Sequence, residues 1–119
     1  MTETITVLVT GVGGGVGQSI MKGLNLASDR REDIYYRTVG VDADPASSGL
    51  FRAEAGYTVP MADDSEYIDR LAEIARDEAV DVVIPGSDPE VSVIAENKAE
   101  ITDRGETDVL VSSPETVEI

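Results

Sequence analysis

Residues 6–17 read TVLVTGVGGGVG. An apolar run, Val7 to Val9, stops in a glycine-rich segment, and an apolar helical pattern follows it. Gly11, Gly13, Gly14, Gly15 and Gly17 make that segment a tight turn between a strand and the N-terminus of a helix. This is the opening unit of a doubly wound α/β sheet. Glycine suits the turn because the backbone visits positive φ there and must approach a ligand or a neighbouring element closely. The exposed amides at the helix start form a ready anion site. The stretch points to a fold that handles nucleotides or other anions.

Working outward, the first strand covers Ile5 to Thr10, and Val16, Ile20, Leu24 and Ala27 recur at helical spacing. A helix is therefore expected from about Gly15 to Ala27, with residues 28–35 as a polar link. Arg37 to Val41 reads as the second strand and runs into Asp42-Ala43-Asp44-Pro45, where the proline ends regular structure. Residues 46–55 read as a short helical turn or loop, and Tyr57 to Val59 as a third strand closed by Pro60. Asp63, Asp64 and Ser65 offer an N-cap to a helix carrying Ile68, Leu71, Ala72 and Ala75 and ending near Glu78. Asp81 to Ile84 is the fourth strand. Ser87 to Glu90 fits a capping box with an early proline. Val91, Ile94, Ala95 and Ile101 carry one helix to Arg104-Gly105, and Asp108 to Val111 is the fifth strand. The last residues, SSPETVEI, begin another turn.

Regular alternation of strand and helix calls for a parallel sheet with right-handed crossovers. The expectation is one Rossmann-like domain over residues 1–119: five strands in the order 3-2-1-4-5, with the ligand crevice at their carboxyl ends.

Composition narrows the chemistry. The chain has 119 residues, no Cys and no His, which removes disulfides, thiolate and imidazole catalysis and the usual zinc sites. A metal would have to be a hard cation such as Mg²⁺ on carboxylates. The 24 acidic and 9 basic residues give a formal charge of −15, a poor surface for nucleic acid or an anionic membrane. No stretch approaches the roughly 20 apolar residues that a membrane span needs. No signal peptide is visible, so a cytoplasmic location is expected. Seven arginines, two lysines and an acid-rich balance resemble proteins of salt-loving archaea, where ionic strength screens self-repulsion.

Topology brings the segments after strands 1, 2 and 4 to one edge. The residues there with polar or close-approach character are Gly11, Gly13, Gly14, Gly15, Gly17, Asp42, Asp44, Ser87, Asp88 and Glu90. The spacing Thr10-Gly11-x-x-Gly14-x-x-Gly17 is also that of extended short-chain dehydrogenases, and Asp42 stands where a ribose-binding acid would be. That leaves a free-standing NAD(P)- or nucleotide-binding domain as an alternative. Against it, no Tyr is followed four residues later by Lys, the pair such chemistry requires. Each residue also has a structural role open to it: glycines for packing, Asp42 and Asp44 for turn formation, Ser87, Asp88 and Glu90 for capping.

The ordered set LVTGVGGGVGQSI, VGVDADP, VDVVIPGSDPE and VLVSSPETVEI resembles the N-terminal pre-ATP-grasp domain of ATP-grasp ligases, especially those similar to the carbamoyl-phosphate synthase large subunit. The resemblance covers nearly the whole chain. It implies that ATP and Mg²⁺ are held by a later ATP-grasp module, which activates a carboxylate as an acyl phosphate for attack by an amine or another nucleophile. This domain would form one wall of the cleft toward a small-molecule substrate and hold no cofactor or metal itself. By the same resemblance Gly11 to Gly17 would face the substrate or phosphate side and Asp42, Asp44, Ser87, Asp88 and Glu90 would be the polar groups lining that wall, none of them catalytic. In such proteins the ATP-grasp module would begin near Ile119, so the chain reads as part of a longer or split protein, inactive alone.

Overall fold

The computed structural model describes residues 2–105 and 107–109. Eight residues from Glu3 to Thr10 form β1, the central strand, because Val7, Leu8 and Val9 have apolar partners on both faces. Leu8 enters a core shared with the α3 to α5 side, while Val7 and Val9 enter a second core with Val12 and Met21 on the α1 side. The polypeptide runs β1 (Glu3–Thr10), α1 (Gly15–Arg30), β2 (Ile34–Asp42), α2 (Ser48–Arg52) and β3 (Ala55–Thr58). It continues through α3 (Tyr67–Asp77), β4 (Val82–Ile84), α4 (Asp88–Glu96), α5 (Lys98–Gly105) and β5 (Asp108–Val109). All strand pairs are parallel and the order is β3-β2-β1-β4-β5, as expected. The register sets Thr10 beside Val41 and Val9 beside Ile84, so the loops leaving β1, β2 and β4 emerge together.

Several boundaries move. The link at 28–35 is shorter than expected, since α1 continues to Arg30 and β2 already starts at Ile34. The third strand shifts to Ala55–Thr58, because its partners Val39 to Asp42 set its register. The single helix expected from Ser87 to Gly105 is two. Asn97 leaves helical geometry (φ −115°, ψ 18°), and its Nδ2 donates to the Val93 carbonyl at 2.8 Å, satisfying an end that would otherwise be bare. Apolar periodicity does not reveal the break, since Ile94 and Ile101 both enter the same core. The capping box is also absent: Ser87 is the N-cap of α4 but makes no side-chain cap bond, and Glu90 is turned elsewhere. Residues 110 and 111 of the expected fifth strand, and the SSPETVEI turn, lie outside the described residues.

The end of α3 contains a local misfit. Val80 N–H bonds the Ala75 carbonyl at 2.8 Å and Ala79 N–H bonds Arg76 at 3.2 Å, a Schellman-type closure that puts Ala79 at φ +52°. Glycine is the residue suited to that conformation. Ala79→Gly should stabilise the domain by about 1 kcal/mol, the lower end of the left-handed penalty for a residue with a Cβ. That raises the thermal midpoint by about 4 °C, read by melts of the two proteins side by side.

Candidate functional site

A cavity of about 430 Å³ opens at the carboxyl edge of the sheet. Its wall comes from four loops. Gly11 and Gly14 follow β1, Asp42 to Asp44 follow β2, Pro60 to Ala62 follow β3, and Ser87, Pro89 and Glu90 lie where β4 passes into α4. Six of the ten residues singled out from sequence meet here: Gly11, Gly14, Asp42, Asp44, Ser87 and Glu90. Gly13, Gly15, Gly17 and Asp88 do not line the cavity.

The five glycines separate into distinct jobs. Gly11 has φ +63°, so the turn out of β1 needs a residue without a Cβ penalty. A Cβ on Gly17 would stand 2.5 Å from the Gly11 carbonyl oxygen, so this buried glycine lets α1 pack against the turn. Gly13 is exposed and donates its N–H to Asp42 Oδ2 at 2.6 Å; a Cβ there would meet that same oxygen at 2.8 Å. Gly14 and Gly15 have open space: a Cβ on Gly14 would find only the Gly11 carbonyl at 3.6 Å, and one on Gly15 would find nothing. Packing explains Gly17 and conformation explains Gly11, while at Gly14 and Gly15 neither is at work.

Asp42 is held by the fold. Its Oδ2 accepts from Gly13 and its Oδ1 from the Asp44 N–H at 2.9 Å, so the carboxylate clasps the glycine turn to the end of β2. Asp44 in turn accepts from the Ala46 N–H at 2.9 Å. The turn role weighed for these residues is real, and it coexists with their place on the cavity wall.

Glu90 reaches inward. Its Oε2 is buried without a hydrogen-bond partner, near the hydroxyls of Thr10, Tyr67 and Ser87, and burial raises its carboxyl above the usual range. The Asp42 charge pushes the same way, whereas the three hydroxyls act against the shift. Tyr67, 1% exposed, has its phenol raised chiefly by burial and then by Glu90. Thr10 is fully buried and its Oγ1 accepts the Gly86 N–H at 3.0 Å. Asp42, Asp44 and Glu90 thus put three acids on the cavity, with no Lys or Arg among the described lining residues. An anion would be repelled there and an ammonium group attracted. Among the described residues no group of three or more His, Cys, Asp or Glu could share a metal ion.

The raised Glu90 carboxyl has a stability consequence. Its charged form is disfavoured in the folded state, so the native state loses stability as pH rises from the ordinary glutamate value, about 4.3, through its own higher value. Glu90→Gln should therefore be more stable than the parent at pH 7.5 and nearly equal at pH 4. Urea unfolding of both proteins at the two pH values checks it.

Sequence reasoning missed Thr10, Tyr67 and the Pro60–Ala62 loop. Topology gave a usable signal for the last, because the loop after β3 must also leave at the carboxyl edge. A threonine closing an otherwise apolar β1 was the signal for Thr10. Nothing local marks Tyr67, which reads as an ordinary apolar position of α3.

A family model described as "PylC-like, N-terminal domain" matches residues 7–110. No curated protein matches the chain. Among solved structures, a dTDP-glucose 4,6-dehydratase from Bacillus anthracis str. Ames, in complex with NAD, superposes with a TM-score of 0.59 at 14% identity. The alignment covers 88% of this chain and 36% of the dehydratase, so the chain spans about a third of that enzyme's length. At such identity the likeness concerns the fold alone. No helix among the described residues is long and apolar enough to cross a membrane.

Proposed function

The chain belongs to the PylC-like N-terminal domain family, the N-terminal part of ATP-grasp ligases, and from that premise we propose that it forms the acceptor-side wall of a carboxylate–amine ligase. The observation that carries this reading is the cavity at the carboxyl edge, walled by Asp42, Asp44 and Glu90 with no cation among its described lining residues. Such a wall suits the ammonium of an amine-bearing substrate and does not suit a triphosphate.

Phosphoryl transfer needs cations and metal arranged around the γ-phosphate, and the residues lining this cavity do not provide that arrangement. ATP and Mg²⁺ belong, in this proposal, to the ATP-grasp module of the same protein or of a split partner, and residues 1–119 alone are inactive. The narrower likeness to the carbamoyl-phosphate synthase large subunit rests on the ordered loop motifs and remains part of the proposal, as do a cytoplasmic location and adaptation to high salt.

A second reading, an NAD(P)-binding domain, draws on the glycine spacing and the position of Asp42. Each Asp42 oxygen accepts one backbone N–H and keeps a further lone pair, so the carboxylate itself admits a ribose hydroxyl, and what weighs against this reading is the acidic wall facing a pyrophosphate.

The test is phosphate release from Mg²⁺-ATP by the protein carrying its ATP-grasp module, measured across a panel of primary amines. Asp44→Asn should raise the KM for the amine about tenfold, the usual worth of a hydrogen bond to a charged group, and leave the KM for ATP unchanged. A raised KM for ATP with the amine KM untouched would overturn the assignment.

A further inference from the structure

The chain carries acids almost everywhere, yet from Ile5 to Ser28 there is no Asp or Glu, and Lys22 is the one charged residue. More than half of that stretch is α1, whose outer face lies in solvent. In a molecule of charge −15 an exposed helix face without carboxylates calls for an explanation. The other long helices do not share the feature: Asp69 stands in the first turn of α3, Asp88 and Glu90 in that of α4, and no acid in that of α1.

A groove of about 640 Å³ runs along this face. Gly15 closes one end and Asn25 the other, with Gln18 and Lys22 between them and Arg52 of α2 forming the opposite bank. Ten residues of helix separate the ends, about 15 Å. Among the described residues no carboxylate lines it.

The two cations have no ion-pair partners among the described residues, whereas Arg31, Arg37, Arg70 and Arg76 are each matched with an acid. Arg52 is held in place by neutral groups instead. Its Nη1 donates to Gln18 Oε1 at 3.0 Å, and Gln18 Nε2 donates to the Gly13 carbonyl at 3.2 Å. The relay ties the guanidinium to the glycine turn without neutralising it. Its base is firm as well, because Gly49 of α2 packs so closely on the turn that a Cβ would stand 2.0 Å from the Val12 carbonyl oxygen. At the Gly15 end, the first turn of α1 has no side-chain cap, so its amides add donors and the helix dipole adds positive potential.

We propose that this groove between α1 and α2 is a binding site for an oxyanion on a small molecule, a phosphate or a carboxylate, separate from the acidic cavity on the other side of the glycine turn. Gly14 lines one and Gly15 the other, so consecutive glycines divide two sites of opposite sign. Arg52 supplies a planar fork of donors, Lys22 a point charge and Gly15 a backbone donor, a combination matched to tetrahedral or planar oxyanions. Gln18 is a positioning residue that acts through Arg52. This inference does not depend on the acceptor reading, and either stands if the other fails.

The experiment is calorimetric titration of the chain with inorganic phosphate and with succinate, at a constant high concentration of KCl so that only specific contacts register. Saturable binding of either probe is expected, and the tighter of the two identifies the source of the oxyanion. Arg52→Gln should weaken it at least about tenfold, Lys22→Met less, and Gln18→Ala severalfold through the freed guanidinium. Lys98→Met, remote from the groove, should leave binding unchanged, and circular dichroism shows that each variant is folded. Absence of saturable binding by both probes would overturn the proposal. So would binding that Arg52→Gln and Lys22→Met together leave intact.

Discussion

Gly86→Ala is expected to cost the domain about 4 kcal/mol or more and to lower its thermal midpoint by about 15 °C. The glycine leaves β4 directly beneath the site, donating its N–H to the buried Thr10 hydroxyl. A Cβ there would lie 2.1 Å from the Thr10 carbonyl oxygen and 3.0 Å from the Gly17 Cα. Both obstacles are backbone, so no side chain can rotate away. The strain would have to separate β4 from β1 where the Gly86 N–H ties the loop after β4 to the end of β1. Gly14→Ala is the matched control: its new methyl group meets only the Gly11 carbonyl oxygen at an ordinary 3.6 Å, so the stability should stay within about 1 kcal/mol of the parent's. Thermal melts of the two variants give the comparison. A Gly86→Ala protein as stable as Gly14→Ala would mean that the turn is far more compliant than its contacts indicate.

Raising KCl from 0.1 M to 1 M should raise the midpoint by about 10 °C. Twenty-four acids against nine bases on so small a domain repel one another in the folded state more than in the expanded chain. The Debye length falls from about 10 Å to about 3 Å over that range, which removes most of the long-range repulsion while leaving contacts inside the cores unscreened. The ion pairs Arg31–Asp33, Arg70–Glu73 and Arg76–Asp77 are exposed, so the stabilisation lost by screening them is small. A midpoint that holds steady or falls in 1 M KCl would show that the acidic surface is not a burden relieved by salt.

Much of the architecture was legible because it rests on period and punctuation. The first four strands of the expected 3-2-1-4-5 sheet are short apolar runs closed by a glycine, an aspartate or a proline, which places each strand in the chain though not its exact ends. What was hidden followed from packing at a distance. Asn97 divides the last helix by bonding a carbonyl one turn back, and a polar residue in a helical period carries no mark of that. Ser87 and Glu90 spell a capping box, but burial near Tyr67 and Thr10 holds the glutamate elsewhere. Among the glycines, sequence could state that the turn needed them and not which need was whose. Only the backbone angle at Gly11 and the space around Gly17 separate these two, which the fold requires, from Gly14 and Gly15, which it does not.

The acidic cavity came partly into view, since topology placed three of its four loops at one edge. Its electrostatic character did not, because Asp42, Asp44 and Glu90 are three of 24 acids and nothing in the sequence sets them apart from the solvated remainder. The basic groove across the glycine turn was hidden for the opposite reason. Its residues, Gln18, Lys22 and Arg52, are ordinary in type, and the signal lies in the acids missing around them.

The central claim, that this domain receives an amine-bearing substrate and leaves ATP to another module, is tested most directly by amide chemical-shift titration of the isotope-labelled chain with a primary amine, ATP and NAD in parallel. The amine should move the resonances of Gly11, Ala43, Asp44 and Glu90, and Asp44→Asn should suppress those shifts, while ATP and NAD leave the same amides in place. Micromolar NAD shifting Gly11, Gly13 and Asp42, with the amine without effect, would contradict the account and establish a dinucleotide site in its stead.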